Sequence, residues 1–260
     1  FCFTGLYGVL SQRKIEEKKG MNYDLTILEE GCKEYGIQLN EEQKKQFVQY
    51  YELLVEWNKV MNLTGITDFE EVLLKHFVDS LSIAKGLDMT KISTCIDVGT
   101  GAGFPGIPLK IAFPHLQITL LDSLNKRLNF LNEVIEKLGL SGIQTVHGRA
   151  EDAARKAEHR EKYDLSVSRA VSRLASLSEY CMPYVKEGGY FVSYKSGKAA
   201  EEVSEAKKAI SVLGGRLEKE VDFKLYQTDM DRTLVMIKKV KSTPKKYPRK
   251  AGTPTKEPIL

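Results

Sequence analysis

The strongest constraint on the fold is an apolar segment that runs into a glycine-rich turn, IDVGTGAGFPG, at residues 96–106. The apolar residues Cys95, Ile96 and Val98 predict a short buried strand. The glycines that follow allow a sharp turn and a close approach of the backbone to a ligand, because they carry no Cβ atom. We therefore predict a strand, a nucleoside-binding turn and then a helix at about residues 105–113.

The turn contains two overlapping glycine patterns. Residues 101–106 fit the G-x-G-x-x-G fingerprint of dinucleotide-binding proteins. In that fingerprint the first glycine closes the strand, whereas here Gly99 already does so and Asp97 lies two residues before it. The resulting D-x-G-x-G-x-G pattern resembles the first motif of class I S-adenosylmethionine methyltransferases. The resemblance implies that Asp97 lies near the charged amino acid end of the cofactor, and that Gly99, Gly101 and Gly103 contribute to its binding.

Strands and helices alternate after this turn, which is typical of a parallel α/β sheet. The last two β-rich runs have no helix between them and predict a terminal antiparallel hairpin. The predicted strands lie at 94–98, 117–121, 143–147, 164–168, 190–194, 217–225 and 233–240. This arrangement resembles the class I methyltransferase fold, α/β and Rossmann-like, with a seven-stranded, mostly parallel sheet.

Helical signals precede the sheet and predict an N-terminal helical extension. Asn40 with Gln43 forms a capping-box-like pair, and Asp68 with Glu71 is a second helix start. We divide the chain into an upstream or artificially added segment (1–20), the helical extension (21–90), the methyltransferase domain (91–240) and a basic, proline-rich tail (241–260). The first segment is apolar and then charged, which is the reverse of the order in a secretory signal.

The positive charge is concentrated in the tail. Residues 238–260 hold eight of the 39 Lys and Arg residues but only one of the 35 Asp and Glu residues. We expect an extended, partly ordered tail whose cations contact RNA phosphates. The proposed contacts are Lys245, Lys246, Arg249 and Lys250. The alternative is a tail that packs back on the sheet, anchored by Tyr247 and Ile259.

Several classes of function are disfavoured by what the sequence lacks. No run of about 18 apolar residues is present, so we expect no membrane span. The four cysteines and four histidines show no C-x-x-C or metal-ligand spacing, so we expect no metal and a reducing, cytoplasmic location. The Asn/Asp-Pro-Pro-aromatic turn of amino-group methyltransferases is absent, as is the Pro-Cys nucleophile of cytosine C5 enzymes. An acceptor atom with a free lone pair, such as guanine N7, remains.

Acidic residues follow the second and third predicted strands. Asp122 lies about twenty residues beyond the turn, where a carboxylate can accept hydrogen bonds from ribose hydroxyls; alternatively it caps the next helix with Ser123. Ala150 and Glu151 follow the third strand, where they could read an adenine edge. The alternative for this charge run is a solvated first helical turn.

Basic residues follow the fourth and fifth strands. Arg169 ends the fourth strand, facing the expected position of a methyl donor, and a structural ion pair is an equally weighted alternative. Lys195 closes the fifth strand and could meet RNA phosphate or be an ordinary surface lysine.

Further blocks along the chain resemble the RsmG family, formerly called GidB, over about residues 21–259. These blocks are LLVEWN at 53–58, MNLT at 61–64, KHFVDSL at 75–81, FPG at 104–106, LDS at 121–123, KR at 126–127, SRA at 168–170 and TPKKYPRK at 243–250, with Gly252 and Pro254. The resemblance implies a bacterial cytoplasmic enzyme that transfers a methyl group from S-adenosylmethionine to the N7 of one guanine in 16S ribosomal RNA. It implies cofactor contacts at Gly99, Phe104, Ala150, Glu151 and Arg169, and it names no general base.

Two other functions remain open at this point. The same glycines could serve an NAD-dependent oxidoreductase, although no acid or base for hydride transfer lies near the strand ends. The chain could also be a ribosome-associated RNA-binding protein with a vestigial cofactor site. The substrate of the methyltransferase could be free RNA or an assembling small subunit.

Overall fold

The structure, a computed structural model, describes residues 23–169, 172–197 and 199–260. The predicted upstream segment, residues 1–20, lies outside these ranges. Among the described residues, no helix combines the length and apolar character needed to cross a membrane.

Helices form the first part of the described chain, as the capping signals predict. The helices are α1 (Thr26–Glu34), α2 (Glu41–Met61), α3 (Phe69–Val72), which continues through a π-helical stretch (Leu73–Val78) into α4 (Asp79–Leu81), and two 3₁₀ turns (Ser82–Lys85, Met89–Lys91). The Asn40 side chain accepts a hydrogen bond from the Gln43 N–H and the Gln43 side chain accepts one from the Asn40 N–H, a complete capping box. Asp68 likewise accepts from the Glu71 N–H.

Seven strands form one mixed sheet, which confirms the predicted fold class. The strands are β1 (Thr94–Val98), β2 (Gln117–Asp122), β3 (Ile143–His147), β4 (Tyr163–Ser168), β5 (Val185–Ser196), β6 (Gly215–Lys224) and β7 (Asp231–Lys239). Their order is β3-β2-β1-β4-β5-β7-β6. β1 to β5 pair in parallel, whereas β7 is antiparallel to both β5 and β6. The terminal hairpin is therefore confirmed.

The remaining helices connect the strands and end the chain. They are α5 (Gly106–Ala112), α6 (Asn125–Lys137), α7 (Ala150–Ala153), α8 (Leu174–Cys181), a 3₁₀ turn (Met182–Tyr184), α9 (Ala200–Val212) and α10 (Thr253–Lys256). The strand order reverses beside β1, since the chain builds β2 and β3 on one side of it and β4 and β5 on the other. In open α/β sheets, ligands bind at the carboxyl ends of the strands at such a reversal.

The N-terminal helices share one hydrophobic core with the sheet. Phe47, Tyr50 and Leu54 on α2 are fully buried in the same cluster as residues of β1 and β2. The Tyr50 hydroxyl donates a hydrogen bond to the carbonyl of Ala102, inside the glycine turn. The helical extension therefore supports the turn directly.

The C-terminal tail folds back on the protein, so the prediction of an extended tail is wrong. Tyr247 and Ile259 pack against the hydrophobic cluster beneath α8 and α9, and Pro254 is buried in α10. The alternative reading, a tail anchored by these two apolar residues, describes the structure. These apolar side chains dock on the protein, while the charged side chains of Lys245, Lys246 and Lys250 stay exposed.

Candidate functional site

The glycine turn depends on backbone conformations that other residues adopt only with strain. Gly99 and Gly101 have φ values of +73° and +61°. Gly103 has φ +98°, and a Cβ atom there would lie 2.7 Å from both the Ile107 side chain and the Tyr50 hydroxyl. The turn is thus fixed by backbone conformation at its start and by packing against α2 and α5 at its end.

Asp97 lies beneath this turn and is fully buried. Its Oδ2 accepts hydrogen bonds from the Thr100 hydroxyl at 2.7 Å and the Gly106 N–H at 2.9 Å. Its Oδ1 is buried and has no partner among the described residues. Desolvation raises the pKa of this carboxyl to about 6. Asp97 therefore holds the turn in shape, a role that its position in the motif did not reveal.

A cleft of about 510 Å³ opens above the turn at the carboxyl ends of β1, β2 and β4, and we call it the strand-end cleft. It is lined by Val98, Gly99, Leu121, Asp122, Ser123, Arg127, Gly148, Arg149, Ala150, Glu151, Ser168, Ser172, Leu177, Tyr180, Gly252 and Thr255. Four of the residues predicted to bind cofactor are in this lining: Gly99, Asp122, Ala150 and Glu151. The other five are not: Asp97, Gly101, Gly103, Phe104 and Arg169.

Asp122 connects the end of β2 to the glycine turn. Its Oδ2 accepts hydrogen bonds from the Gly101 N–H at 3.0 Å and from Arg127 at 3.3 Å, and its Oδ1 accepts one from the Leu124 N–H at 2.9 Å. The carboxylate is 3% exposed and borders the cleft. It combines features of both interpretations: it binds the backbone where α6 begins, and it presents an acceptor to the cleft.

Glu151 is buried rather than solvated, which contradicts the alternative reading of its charge run. Its side chain is 6% exposed, and its Oε1 accepts a hydrogen bond from the Gly252 N–H at 2.8 Å. The neighbouring Ala150 carbonyl accepts from the Tyr184 hydroxyl at 2.6 Å. Both residues of the predicted pair are therefore fixed at the cleft.

A second cleft of about 630 Å³ lies beside the first, and we call it the arginine cleft. It is lined by Ile66, Lys75, His76, Asp79, Arg169, Ser172, Arg173, Tyr194, Lys195, Ser196, Glu202, Glu205 and Arg232. Ser172 belongs to both linings, so the two clefts adjoin. Arg169 and Lys195, both predicted site residues, lie in this second cleft.

Arg169 forms a structural ion pair, which is one of the two roles that the sequence analysis considered for it. Its Nη1 lies 3.2 Å from Oδ2 of Asp79, and its Nη2 donates to Nδ1 of His76 at 3.0 Å. Its guanidinium also lies 5.4 Å from the centre of the Phe104 ring, which stacks on the His76 ring at 4.4 Å. Phe104 thus acts on the site through Arg169 and His76.

His76 is held as a neutral imidazole. Burial and the charge of Arg169 lower its pKa from 6.5 to about 3. Since a guanidinium can only donate, Nδ1 is the acceptor and Nε2 carries the hydrogen, which is donated to the Thr64 hydroxyl at 2.8 Å.

Asp79 is a functional candidate that the sequence reading did not single out. It is 6% exposed and accepts hydrogen bonds from Arg169 and, at 2.9 Å, from Nε of Arg232 on β7. One carboxylate therefore orients two arginines of the cleft. The only sequence signal was its place in the KHFVDSL block.

Lys195 is not an ordinary surface lysine. Its Nζ donates to the Ser172 carbonyl at 2.7 Å and pairs with Glu202 at 2.7 Å. Only 10% of its side chain is exposed. It therefore joins the end of β5 to the residue that both clefts share.

The tail cations fall into two groups. Lys245, Lys246 and Lys250 are exposed. Arg249 instead pairs with Glu179, which is 1% exposed, through Nε–Oε1 and Nη2–Oε2 contacts of 3.0 and 2.7 Å. Arg249 thus has a docking role in the structure, and its phosphate contact stays a prediction.

Groups of three or more His, Cys, Asp or Glu residues in a metal-binding arrangement do not occur in the described ranges. The two adjoining clefts, one with carboxylates in its lining and the other with more cations than carboxylates, are therefore the candidate binding sites.

Comparison with known proteins identifies the family. The GidB family, described as rRNA small subunit methyltransferase G, matches residues 43–233. Among curated relatives, ribosomal RNA small subunit methyltransferase G of Lachnoclostridium phytofermentans is 59% identical over 231 residues, 89% of this chain and 96% of the relative. The proteins of the same name from Desulforamulus reducens and Alkaliphilus metalliredigens are 56% and 51% identical, covering 91% and 90% of this chain and 99% and 98% of theirs. The chain therefore belongs to the rRNA small subunit methyltransferase G (GidB) family.

Proposed function

We propose that this protein transfers a methyl group from S-adenosylmethionine to the N7 atom of one guanine in 16S ribosomal RNA. The main support for this proposal is that Ser172 lines both clefts, so the two clefts adjoin. A methyl donor bound in the strand-end cleft and an acceptor base bound in the arginine cleft would then occupy adjoining sites.

The strand-end cleft fits S-adenosylmethionine, which carries an ammonium and a sulfonium charge. The buried Oδ1 of Asp97 lacks a partner, and the carboxylates of Asp122 and Glu151 border the cleft. We assign the turn around Gly99, Gly101 and Gly103 to the amino acid end of the cofactor. Asp97, buried beneath the turn, would act on this end through the hydrogen bonds that shape the turn. Asp122 would accept from the ribose hydroxyls, and Ala150 with Glu151 would bind the adenine.

The bound cofactor supplies an electrophilic methyl group, and the acceptor supplies a lone pair. Guanine N7 carries no proton, so the transfer requires no general base. His76 suits such a site, because its low pKa keeps it neutral and its Nδ1 is already occupied by Arg169. The task of the protein is then to position the two reactants, which can supply much of the rate acceleration.

The arginine cleft fits a nucleotide because its cations can meet phosphate and base acceptors. Its lining includes Arg169, Arg173, Lys195 and Arg232, while Asp79 and Glu202 hold three of these four in place. Arginine is suited to bidentate contacts with phosphate and can also donate to guanine O6, which leaves the N7 lone pair free to react. Lys245, Lys246 and Lys250 would contact the RNA backbone farther from the target base.

We further propose a cytoplasmic enzyme whose partner is free ribosomal RNA or an assembling small subunit.

The proposal is tested by following transfer of a radiolabelled methyl group. The full-length protein would be incubated with labelled S-adenosylmethionine and unmodified 16S RNA, either free or assembled with small-subunit proteins, and with 23S RNA as a control. We expect incorporation approaching one methyl group per 16S molecule in at least one of the two forms, and none into 23S RNA. Absence of incorporation into both forms would contradict the proposal.

A further inference from the structure

We infer that the C-terminal segment, residues 243–255, forms part of the wall of the strand-end cleft, and that its docking is needed for tight binding of S-adenosylmethionine. The inference rests on the proposed function, because it adds a further part to the same cofactor site. Its starting point is that Gly252 and Thr255 line the cleft together with Gly99, Asp122 and Glu151. The sequence analysis predicted RNA contacts for this segment, or packing on the sheet, and no part in the cofactor site.

The segment makes direct contact with a residue assigned to the adenine. The Gly252 N–H donates to Oε1 of Glu151 at 2.8 Å, and Glu151 is 6% exposed. Gly252 has φ +82°, a left-handed conformation that aims its N–H at this carboxylate with little strain. Docking of the segment thus fixes the orientation of a buried carboxylate within the cofactor site.

The ion pair between Arg249 and Glu179 fastens the segment to α8. Besides the two side-chain contacts described above, the Arg249 N–H donates to Oε1 of Glu179 at 2.7 Å. Glu179 is 1% exposed, so the undocked segment would leave a buried carboxylate without its cation. Removal of one partner from such a pair is destabilising, so this contact favours the docked segment.

Two other contacts connect the same helix to the end of the segment. The Ser176 hydroxyl donates to the Pro254 carbonyl at 2.8 Å, and the Tyr180 and Thr255 hydroxyls are 2.6 Å apart. Tyr180 also lines the cleft. Because Ser176, Glu179 and Tyr180 lie on one face of α8, this face holds the segment along the edge of the cleft.

The start of the segment is held from another side. Arg160 donates to the carbonyls of Thr243 at 2.8 Å and Tyr247 at 2.9 Å, and Arg155 donates to the carbonyl of Pro248. These contacts leave the exposed lysines Lys245, Lys246 and Lys250 on the outer side. The segment therefore lies between the strand-end cleft on one side and the exposed lysines on the other.

Cofactor affinity and docking are consequently coupled. If only the docked form completes the cleft, the apparent dissociation constant equals the intrinsic one divided by the docked fraction. Binding of S-adenosylmethionine must in return favour the docked form. Both directions of this coupling can be measured without any RNA and without turnover.

Calorimetric titration of S-adenosylmethionine tests the first direction. We predict that Arg249→Ala weakens binding roughly tenfold, the result of a docked fraction reduced to about one tenth. Ser176→Ala should weaken binding less but in the same direction, since it removes one contact and keeps a good helix former in α8. Lys256→Ala is the matched control, because it removes an exposed cation next to the segment. Its dissociation constant should equal that of the wild type.

Trypsin digestion of the same proteins tests the second direction, since the segment contains Lys245, Lys246, Arg249 and Lys250. Saturating S-adenosylmethionine should slow cleavage of the segment in the wild type, and Arg249→Ala should be cleaved faster without cofactor. Wild-type affinity in both Arg249→Ala and Ser176→Ala would overturn the inference, and so would cleavage that is unaffected by cofactor. If Arg249→Ala does not fold, Ser176→Ala decides. A wild-type protein that binds no S-adenosylmethionine would instead contradict the proposed function.

Discussion

Arg169 at the end of β4 and Asp79 at the start of α4 form an ion pair with an Nη1–Oδ2 distance of 3.2 Å. Asp79 is largely buried and also binds Arg232, so a residue of the N-terminal helices orients arginines from two different strands. The helical extension is thereby a part of the proposed substrate site and not only a support for the sheet.

Replacement of Asp79 by Asn should impair methyl transfer more than cofactor binding. The amide keeps the shape but removes the charge that pairs with Arg169 and Arg232, and the loss of one partner in a buried pair has a large energetic cost. We expect kcat to fall at least about tenfold, with the dissociation constant of S-adenosylmethionine within about twofold of the wild type. Asp88→Asn is the control, because Asp88 is an exposed helix cap. Equal losses in kcat and cofactor affinity would place Asp79 in the cofactor site.

The glycine turn can be tested with Gly101→Val. The native φ of +61° is unfavourable for a β-branched residue, and distortion of the turn would also displace the N–H that binds Asp122. We expect calorimetry to show no measurable binding of S-adenosylmethionine. Gly36→Val is the matched control, since Gly36 has φ +74° and open space around it but follows α1. Unchanged affinity in Gly101→Val would remove this turn from the site.

The pH dependence of stability provides a test of the neutral His76. Its pKa is about 3 in the folded protein and about 6.5 in the unfolded chain, so the unfolded state binds the extra proton between these values. The contribution of neutral His76 to the free energy of unfolding is therefore fully present above pH 6.5 and is lost as the pH falls. Between pH 7.5 and 5, the wild type should lose about 2 kcal/mol more of its unfolding free energy than His76→Gln does. Urea unfolding measures the unfolding free energy of both proteins at each pH. Parallel pH profiles for the wild type and His76→Gln would contradict a low pKa for His76.

The exposed tail lysines should contribute to RNA affinity through counterion release. Each phosphate contact contributes just under one unit to the slope of log affinity against log salt, so the Lys245, Lys246 and Lys250 triple Ala variant should lower this slope by roughly one to three. Arg249 is left out because it pairs with Glu179. The control is a triple Ala variant of Lys91, Lys162 and Lys186, exposed lysines at the amino-terminal edge of the sheet. Equal slopes for the two triple variants would contradict the phosphate contacts.

The fold was predictable because its signals are local. Alternating apolar strands and helical stripes, the capping residues Asn40 and Asp68, and the glycines after β1 act over a few residues, and each produced the predicted element. The absence of a helix between β6 and β7 was enough to predict their antiparallel pairing.

The parts that were not predictable depend on partners distant in sequence. Arg249 finds Glu179 70 residues away, and Arg169 finds Asp79 90 residues away. No periodicity or spacing connects such residues, so a charge that is buried and paired has the same appearance in the sequence as one that is solvated. The ion pair that docks the tail and the shared carboxylate of Asp79 therefore emerged only from the structure.

Methyl transfer to the N7 atom of a single guanine can be tested by mapping the modified atom in the RNA. A 7-methylguanine can be reduced and its strand then cleaved at that nucleotide, so 16S RNA methylated by the protein can be sequenced for cleavage sites. If the protein methylates one guanine N7, a single new cleavage site should appear that requires both the protein and S-adenosylmethionine and is absent with Gly101→Val. Methylation at another atom, or cleavage scattered over many guanines, would contradict it.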